Sequence, residues 1–221
     1  MNWELLMQVV EVVSVVGTSV IALLTVGSWR AEHRYTRRAE LAGEGLTLAY
    51  EAADVIQAVR SNFGYESDGS TRKRMPNETP QLTERLDDAF TPVERLCQHD
   101  ELFGKLRAMR YRMMVEFGRA WEKRFDELFE VRHKLIVRCR RAMRLIRDQH
   151  ESPDGEVTVK QEQFWEEFEQ LRWQQDDPDP VDVQVQGVVQ RLEALNESIR
   201  KERCLTRLKG MLTKARAMCR G

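Results

Sequence analysis

The chain has 221 residues, 32% of them charged, and its 35 Lys and Arg against 36 Asp and Glu leave a formal net charge of −1. That balance excludes the global basic field that draws proteins onto nucleic acid. Only 12 glycines and 6 prolines are present, and they form neither a long flexible linker nor a glycine-rich phosphate loop.

Residues 5–29, LLMQVVEVVSVVGTSVIALLTVGSW, carry no charge from Val12 to Trp29. About 20 apolar residues at a rise of ~1.5 Å cover a hydrocarbon core of ~30 Å, so residues 1–29 read as a transmembrane anchor. A secretory signal places its basic residues before the apolar run. Here no Lys or Arg precedes it, and Arg30, Arg34, Arg37 and Arg38 follow directly. Lys and Arg near the ends of a span set its orientation, which predicts the N-terminus outside and residues 30–221 in the cytoplasm.

Within the span Glu4, Gln8, Glu11, Thr18, Ala22 and Thr25 fall on one stripe, with Ser14 beside it. Ser14, Thr18 and Ala22 form a small-xxx-small series of the kind that lets helix backbones approach closely in lipid. They are the candidate interface for self-association. Glu11 fits either a polar seam or the outer headgroup boundary.

Residues 30–60 form a basic juxtamembrane segment that continues as an amphipathic helix, with Leu41, Gly45, Leu48, Ala52, Val55 and Val59 in phase. Residues 61–79 read as a loop containing Phe63, Tyr65 and the basic run Arg72, Lys73 and Arg74. Those three cations, with Arg34, Arg37 and Arg38, are the candidate contacts for an anion or a lipid headgroup.

A helical body over residues 80–199 comes next. Thr79-Pro80 supplies a cap and a proline at the first helical position. Leu82, Leu86, Phe90, Val93 and Cys97 predict one face, and Thr91-Pro92-Val93-Glu94 predicts a break and restart. Asp100 reads as the cap of a helix with Phe103, Leu106, Met109, Met113 and Phe117 in phase, and Gly118 as its stop. A long helix then carries Trp121, Phe125, Leu128, Leu135, Cys139, Ala142 and Ile146, with a basic end at Arg138, Arg140, Arg141, Arg144 and Arg147. Cations there complement the helix dipole.

Ser152-Pro153-Asp154-Gly155 is a turn. Thr158 and Gln161 are spaced as a capping box before Phe164, Trp165, Phe168 and Leu171. Asp179-Pro180 opens a further helix with Val181, Val185, Val188, Leu192, Leu195 and Ile199 in phase. Residues 200–221 form a basic amphipathic tail whose eight Lys/Arg face one acid, Glu202, around a new stripe of Leu205, Leu208, Leu212, Ala215 and Cys219. The acidic residues 151–182, eleven acids against Lys160 and Arg172, offer it a docking surface within the chain, and an anionic leaflet offers another.

The order of Thr71-Arg72-Lys73-Arg74, Glu78-Thr79-Pro80, Ala89-Phe90-Thr91-Pro92-Val93-Glu94-Arg95-Leu96 and Glu101-Leu102-Phe103 through Arg110-Tyr111-Arg112 to Phe117-Gly118 resembles a group of uncharacterised bacterial membrane-anchored helical proteins. The likeness covers roughly residues 1–150. It implies a bacterial origin and a single-pass architecture, hence the inner membrane, and lends no activity.

No HExxH, GxSxG, Walker-type or calcium-loop motif occurs. Cys97, Cys139, Cys204 and Cys219 form no CxxC pair and no zinc spacing with His33, His99, His133 or His150, and read as separate free thiols. Glu130 and His133 match one half of a di-metal ExxH arrangement, and a second half is missing. Arg110, Tyr111 and Arg112 have the make-up of a phosphate or base contact, without a surrounding basic-aromatic surface to extend it.

The expectation is therefore all-α: one N-terminal transmembrane helix and a cytosolic antiparallel helical bundle. No catalytic residue, metal or cofactor is assigned, and neither nucleic acid nor a small-molecule substrate is expected. The leading reading is a membrane-tethered scaffold that self-associates through its span and binds a cytosolic protein partner. The alternative is a membrane effector whose assembled spans form a pore or perturb the bilayer.

Overall fold

The computed structural model describes residues 3–61, 69–152, 158–174 and 178–218, with residues 206–218 described by their backbone alone. Among the described residues it is all-α: α1 (Trp3–Val59), α2 (Pro80–Gln98), α3 (Asp100–Phe117), α4 (Ala120–Glu151), α5 (Val159–Arg172) and α6 (Pro180–Met218). A long apolar N-terminal helix is followed by a packed helical bundle. The loop aromatics Phe63 and Tyr65, the turn at residues 153–155 and Cys219 lie outside the described residues, as do the side chains of Glu4 and Gln8.

Two compact units divide the chain. Ala42–Leu195 is one; Met1–Leu41 together with Asn196–Gly221 is the other. In the first, α2, α4 and α5 enclose an apolar cluster of Leu82, Leu86, Ala89, Val93, Cys139, Ala142, Ile146, Phe164 and Phe168. Fully burying a Leu or Phe side chain contributes about 1.5–3 kcal/mol, so this cluster is a principal source of the bundle's stability. Close packing of α1 depends on small residues: a Cβ built on Gly45 would meet Met113, Met109 and Phe125 at 3.6–3.7 Å. An alanine Cβ there makes ordinary contact, and a larger side chain would have to displace these neighbours.

The helix starts follow from local chemistry. Thr79 accepts from the Leu82 N–H at 3.3 Å with Pro80 at the first position. The Thr158 N–H donates to Gln161 at 2.8 Å, the return half of the expected capping box. Asp179 accepts from the N–H groups of Val181 and Asp182 at 2.8 and 3.3 Å, capping α6. Gly118 ends α3 with φ at +94°, a conformation that favours glycine. Asp100 is not a cap. It stands in the first turn of α3 and pairs with Arg132.

The expected break at Thr91-Pro92 is corrected. α2 runs through Pro92 without interruption. A continuous helix shifts the buried stripe to Leu82, Leu86, Ala89, Val93 and Leu96, and leaves Cys97 exposed. Proline in a helix interior strips the carbonyl four residues earlier of its donor, here that of Asp88. The guanidinium of Arg172, at the end of α5, donates to that carbonyl at 2.9 Å and also pairs with the Asp88 carboxylate. A donor from another helix therefore replaces the missing N–H.

Candidate functional site: the apolar helix and its basic collar

The first turns of α1 are unlike the rest of the molecule. Val12, Val13, Val15, Val16, Val20, Ile21, Leu23, Val26 and Trp29 are all exposed, so none of the described residues covers this apolar surface. α1 is the one described helix long and apolar enough to cross a membrane. Three of its hydroxyls are satisfied within the helix: Thr18 Oγ1 donates to the Ser14 carbonyl at 2.7 Å, Ser19 to that of Val15 and Thr25 to that of Ile21, each at 2.8 Å. Such back-bonding satisfies hydroxyls where water is absent. Ser14, Thr18 and Ala22 share one face of this helix and are exposed.

The collar follows at once. Trp29 and His33 stack with ring centroids 5.8 Å apart. Arg30, Arg34 and Arg37 are exposed, whereas Arg38 is half-buried and pairs with Glu202 of α6 at 3.7 Å. Arg203 pairs with Glu32. Among the described residues the tail's ion pairs are these two with the collar of α1 and one within α6, Lys201 with Glu197 at 2.8 Å; none is with the acidic residues 151–182 that the sequence singled out.

Of the loop cations, Arg72 is corrected. Its side chain is 4% exposed, with two parallel bonds to Glu78 at 2.6 and 2.8 Å and a third from Nε to Asp87 at 2.6 Å. Carboxylates inside the fold occupy its donors, so it cannot reach a lipid headgroup. Arg72 holds the Glu78 carboxyl at about 2, well below the usual range, against the opposing effect of burial; the Met75 N–H adds a smaller pull in the same direction. Lys73 and Arg74 remain at the surface, Arg74 bonded to Asp87 at 3.0 Å. The buried carboxylate of Glu94 secures the same segment by accepting from the N–H groups of Gly69 and Thr71. Gly69 has φ +79°, and a Cβ there would lie 2.6 Å from the Cβ of Asp87. Only glycine fits both demands.

Sequence reasoning missed Arg60. This side chain is fully buried after the last turn of α1. It donates to the carbonyls of Gln170, Leu171 and Trp173, which α5 leaves open at its C-terminal end, at 2.9–3.2 Å. It also pairs with Asp179 at 2.7 Å and Asp182 at 3.2 Å, at the start of α6. The signal was a lone arginine closing an apolar helix, with an Asp-Pro cap far downstream, and neither names the other as partner.

The remaining candidates are answered within the fold. Arg110 pairs with Asp126 and lies 4.7 Å over the Tyr111 ring, and Arg112 bonds Glu44 at 2.7 Å. Glu130 pairs with Lys134 at 2.8 Å and His133 is exposed. Burial pushes the Cys139 thiol up to about 12, which keeps it from forming a thiolate near neutral pH. Among the described residues no group of three His, Cys, Asp or Glu side chains is placed to hold a metal ion.

Fold and surface together define a class: an all-α chain in which one exposed apolar helix of membrane-spanning length precedes a packed bundle. No family model, curated protein or solved structure matches the chain.

Proposed function

We propose that the chain is a membrane-tethered interaction protein, anchored by the apolar turns of α1 and carrying its bundle in the bacterial cytoplasm as a scaffold for a protein partner. One observation carries this reading: every described side chain from Glu11 to Arg30 is exposed, a surface of membrane length that ends in an arginine collar. Leaving so much contiguous apolar surface in water is unfavourable, and a lipid bilayer removes it. The collar sets the bundle on the cytoplasmic side. The face of Ser14, Thr18 and Ala22 supplies a contact with a second copy, and tethering raises the effective concentration of the bundles towards each other and towards any partner at the membrane.

Fusions to the C-terminus test this orientation. A fluorescent protein that folds only in the cytoplasm is expected to be bright there, and an alkaline phosphatase fusion to be inactive. An active phosphatase would place the bundle outside and overturn the reading.

A further inference from the structure

Two helices of the Ala42–Leu195 unit expose stripes of opposite charge in the same register. On α4, Val137, Arg140, Arg144 and Arg147 follow one another at spacings of three, four and three; on α5, Val159, Glu162, Glu166 and Glu169 do the same. Such spacings keep the four residues on one helix face. Val137 and Val159 are 43% and 67% exposed; Arg147 is half-buried and the other five charged residues are exposed. Among the described residues none of these six charges forms an ion pair, although neighbouring cations on α4 do: Lys134 with Glu130 at 2.8 Å and Arg138 with Glu167 at 2.7 Å. The stripes do not meet within one copy. Arg138 and Arg141, 5.5 and 4.8 Å over the Phe164 ring, fill the seam between α4 and α5 and leave both stripes on other faces.

We infer that the α4 stripe of one copy receives the α5 stripe of a second copy. With the two segments parallel, one register sets Val137 against Val159, and Arg140, Arg144 and Arg147 against Glu162, Glu166 and Glu169. An anionic leaflet would match the arginines alone and leave the glutamates without a counterpart; a second copy matches both. Each copy carries the two halves of the contact on different faces, so a pair of molecules still offers a free half at either end. The association is therefore head-to-tail, extending into rows or closing into rings. Exposed ion pairs hold little by themselves. The inference accordingly rests on the reading of α1 as the anchor: confinement to one leaflet supplies the effective concentration at which so weak a contact forms. The product is a scaffold that repeats its partner surface along the membrane.

The test uses the full chain with Cys204→Ser and Cys219→Ser, labelled at the exposed Cys97 with a donor or an acceptor fluorophore; Cys139 is buried and stays unlabelled. Both forms are incorporated together, at low density, in liposomes of zwitterionic lipid. The readout is the part of the energy transfer that high salt removes, because salt screens exposed ion pairs and leaves contacts between spans in place. The unaltered chain is expected to show it. Arg140→Glu with Arg144→Glu should lose it several-fold, and so should Glu162→Arg with Glu166→Arg. Mixing these two charge-reversed chains should restore it, since each then meets a face of opposite sign. Transfer without a salt-sensitive part, or a mixture that stays silent, overturns the contact. Loss in the arginine variant alone means that those cations serve another anionic partner, and overturns it as well. Flotation of the same liposomes reports the anchor separately: chains that float without the transfer leave the anchor standing, and chains that do not float overturn the anchor and the tethered contact together.

Discussion

Arg172 donates to the backbone carbonyl of Asp88 at 2.9 Å, and that carbonyl is the acceptor which Pro92 leaves without an intrahelical donor. The guanidinium is buried and also lies 4.1 Å over the Trp173 ring and 5.8 Å over that of Phe168. One side chain thus keeps α2 continuous and ties it to the end of α5.

The pair makes a coupled prediction. Arg172→Met should destabilise the chain by about 2–3 kcal/mol, the scale for stranding buried polar partners. Pro92→Ala restores the N–H that Asp88 lacks, so it should recover about 1 kcal/mol more in the Arg172→Met background than alone. Urea unfolding of the four chains in mild detergent measures the difference. Additive effects would mean that Arg172 does not act through the carbonyl.

Arg60 should be less replaceable still. Arg60→Leu strands Asp179 and three carbonyls at once, a loss of about 3–5 kcal/mol that lowers the melting temperature by roughly 10 °C. Arg60→Lys should recover little, because one ammonium cannot reproduce a planar fork that reaches five acceptors. A lysine variant melting with the native chain would contradict this role.

The Arg72–Glu78 pair gives an acid limit. Glu78 has its carboxyl lowered from 4.5 to about 2 in the fold. A group depressed in this way contributes stability that is complete above its unfolded value and is lost as pH falls from about 4.5 towards about 2. Glu78→Gln should cost about 3 kcal/mol at neutral pH and flatten the acid slope of stability in that window. A slope equal to that of the native chain would show that other carboxylates set it.

Much of the bundle was legible because its signals are local. The caps at Thr79, Thr158 and Asp179, the stop at Gly118 and the stripe from Phe125 to Ile146 each arise from residues within a turn or two of one another. The exposed apolar turns of α1 were legible by length alone. What escaped depends on partners distant in sequence. Pro92 reads as a break until a donor arrives from Arg172. Arg72 reads as a surface cation beside Lys73 and Arg74 until Glu78 and Asp87 close on it from the loop and α2. Arg60 lies more than a hundred residues from each of its five side-chain acceptors, and no periodicity marks it.

The interface face of the anchor has its own test. Thr18→Leu and Ala22→Leu place bulk where two backbones would approach, and should weaken self-association in a membrane two-hybrid assay by about 1–2 kcal/mol. Val13→Leu, also exposed but off that face, should leave it unchanged. Equal association in all the variants would remove Ser14, Thr18 and Ala22 as a contact.

The central claim is that the exposed turns of α1 lie in a bilayer, and alkaline carbonate extraction of membranes from cells expressing the full chain measures it most directly. An integral helix resists extraction, so the chain should stay in the membrane pellet. A variant with Val16→Arg and Ile21→Arg, whose two charges each cost about 2.5–3.5 kcal/mol at the helix centre, should move to the supernatant. Release of the unaltered chain by carbonate would contradict the account.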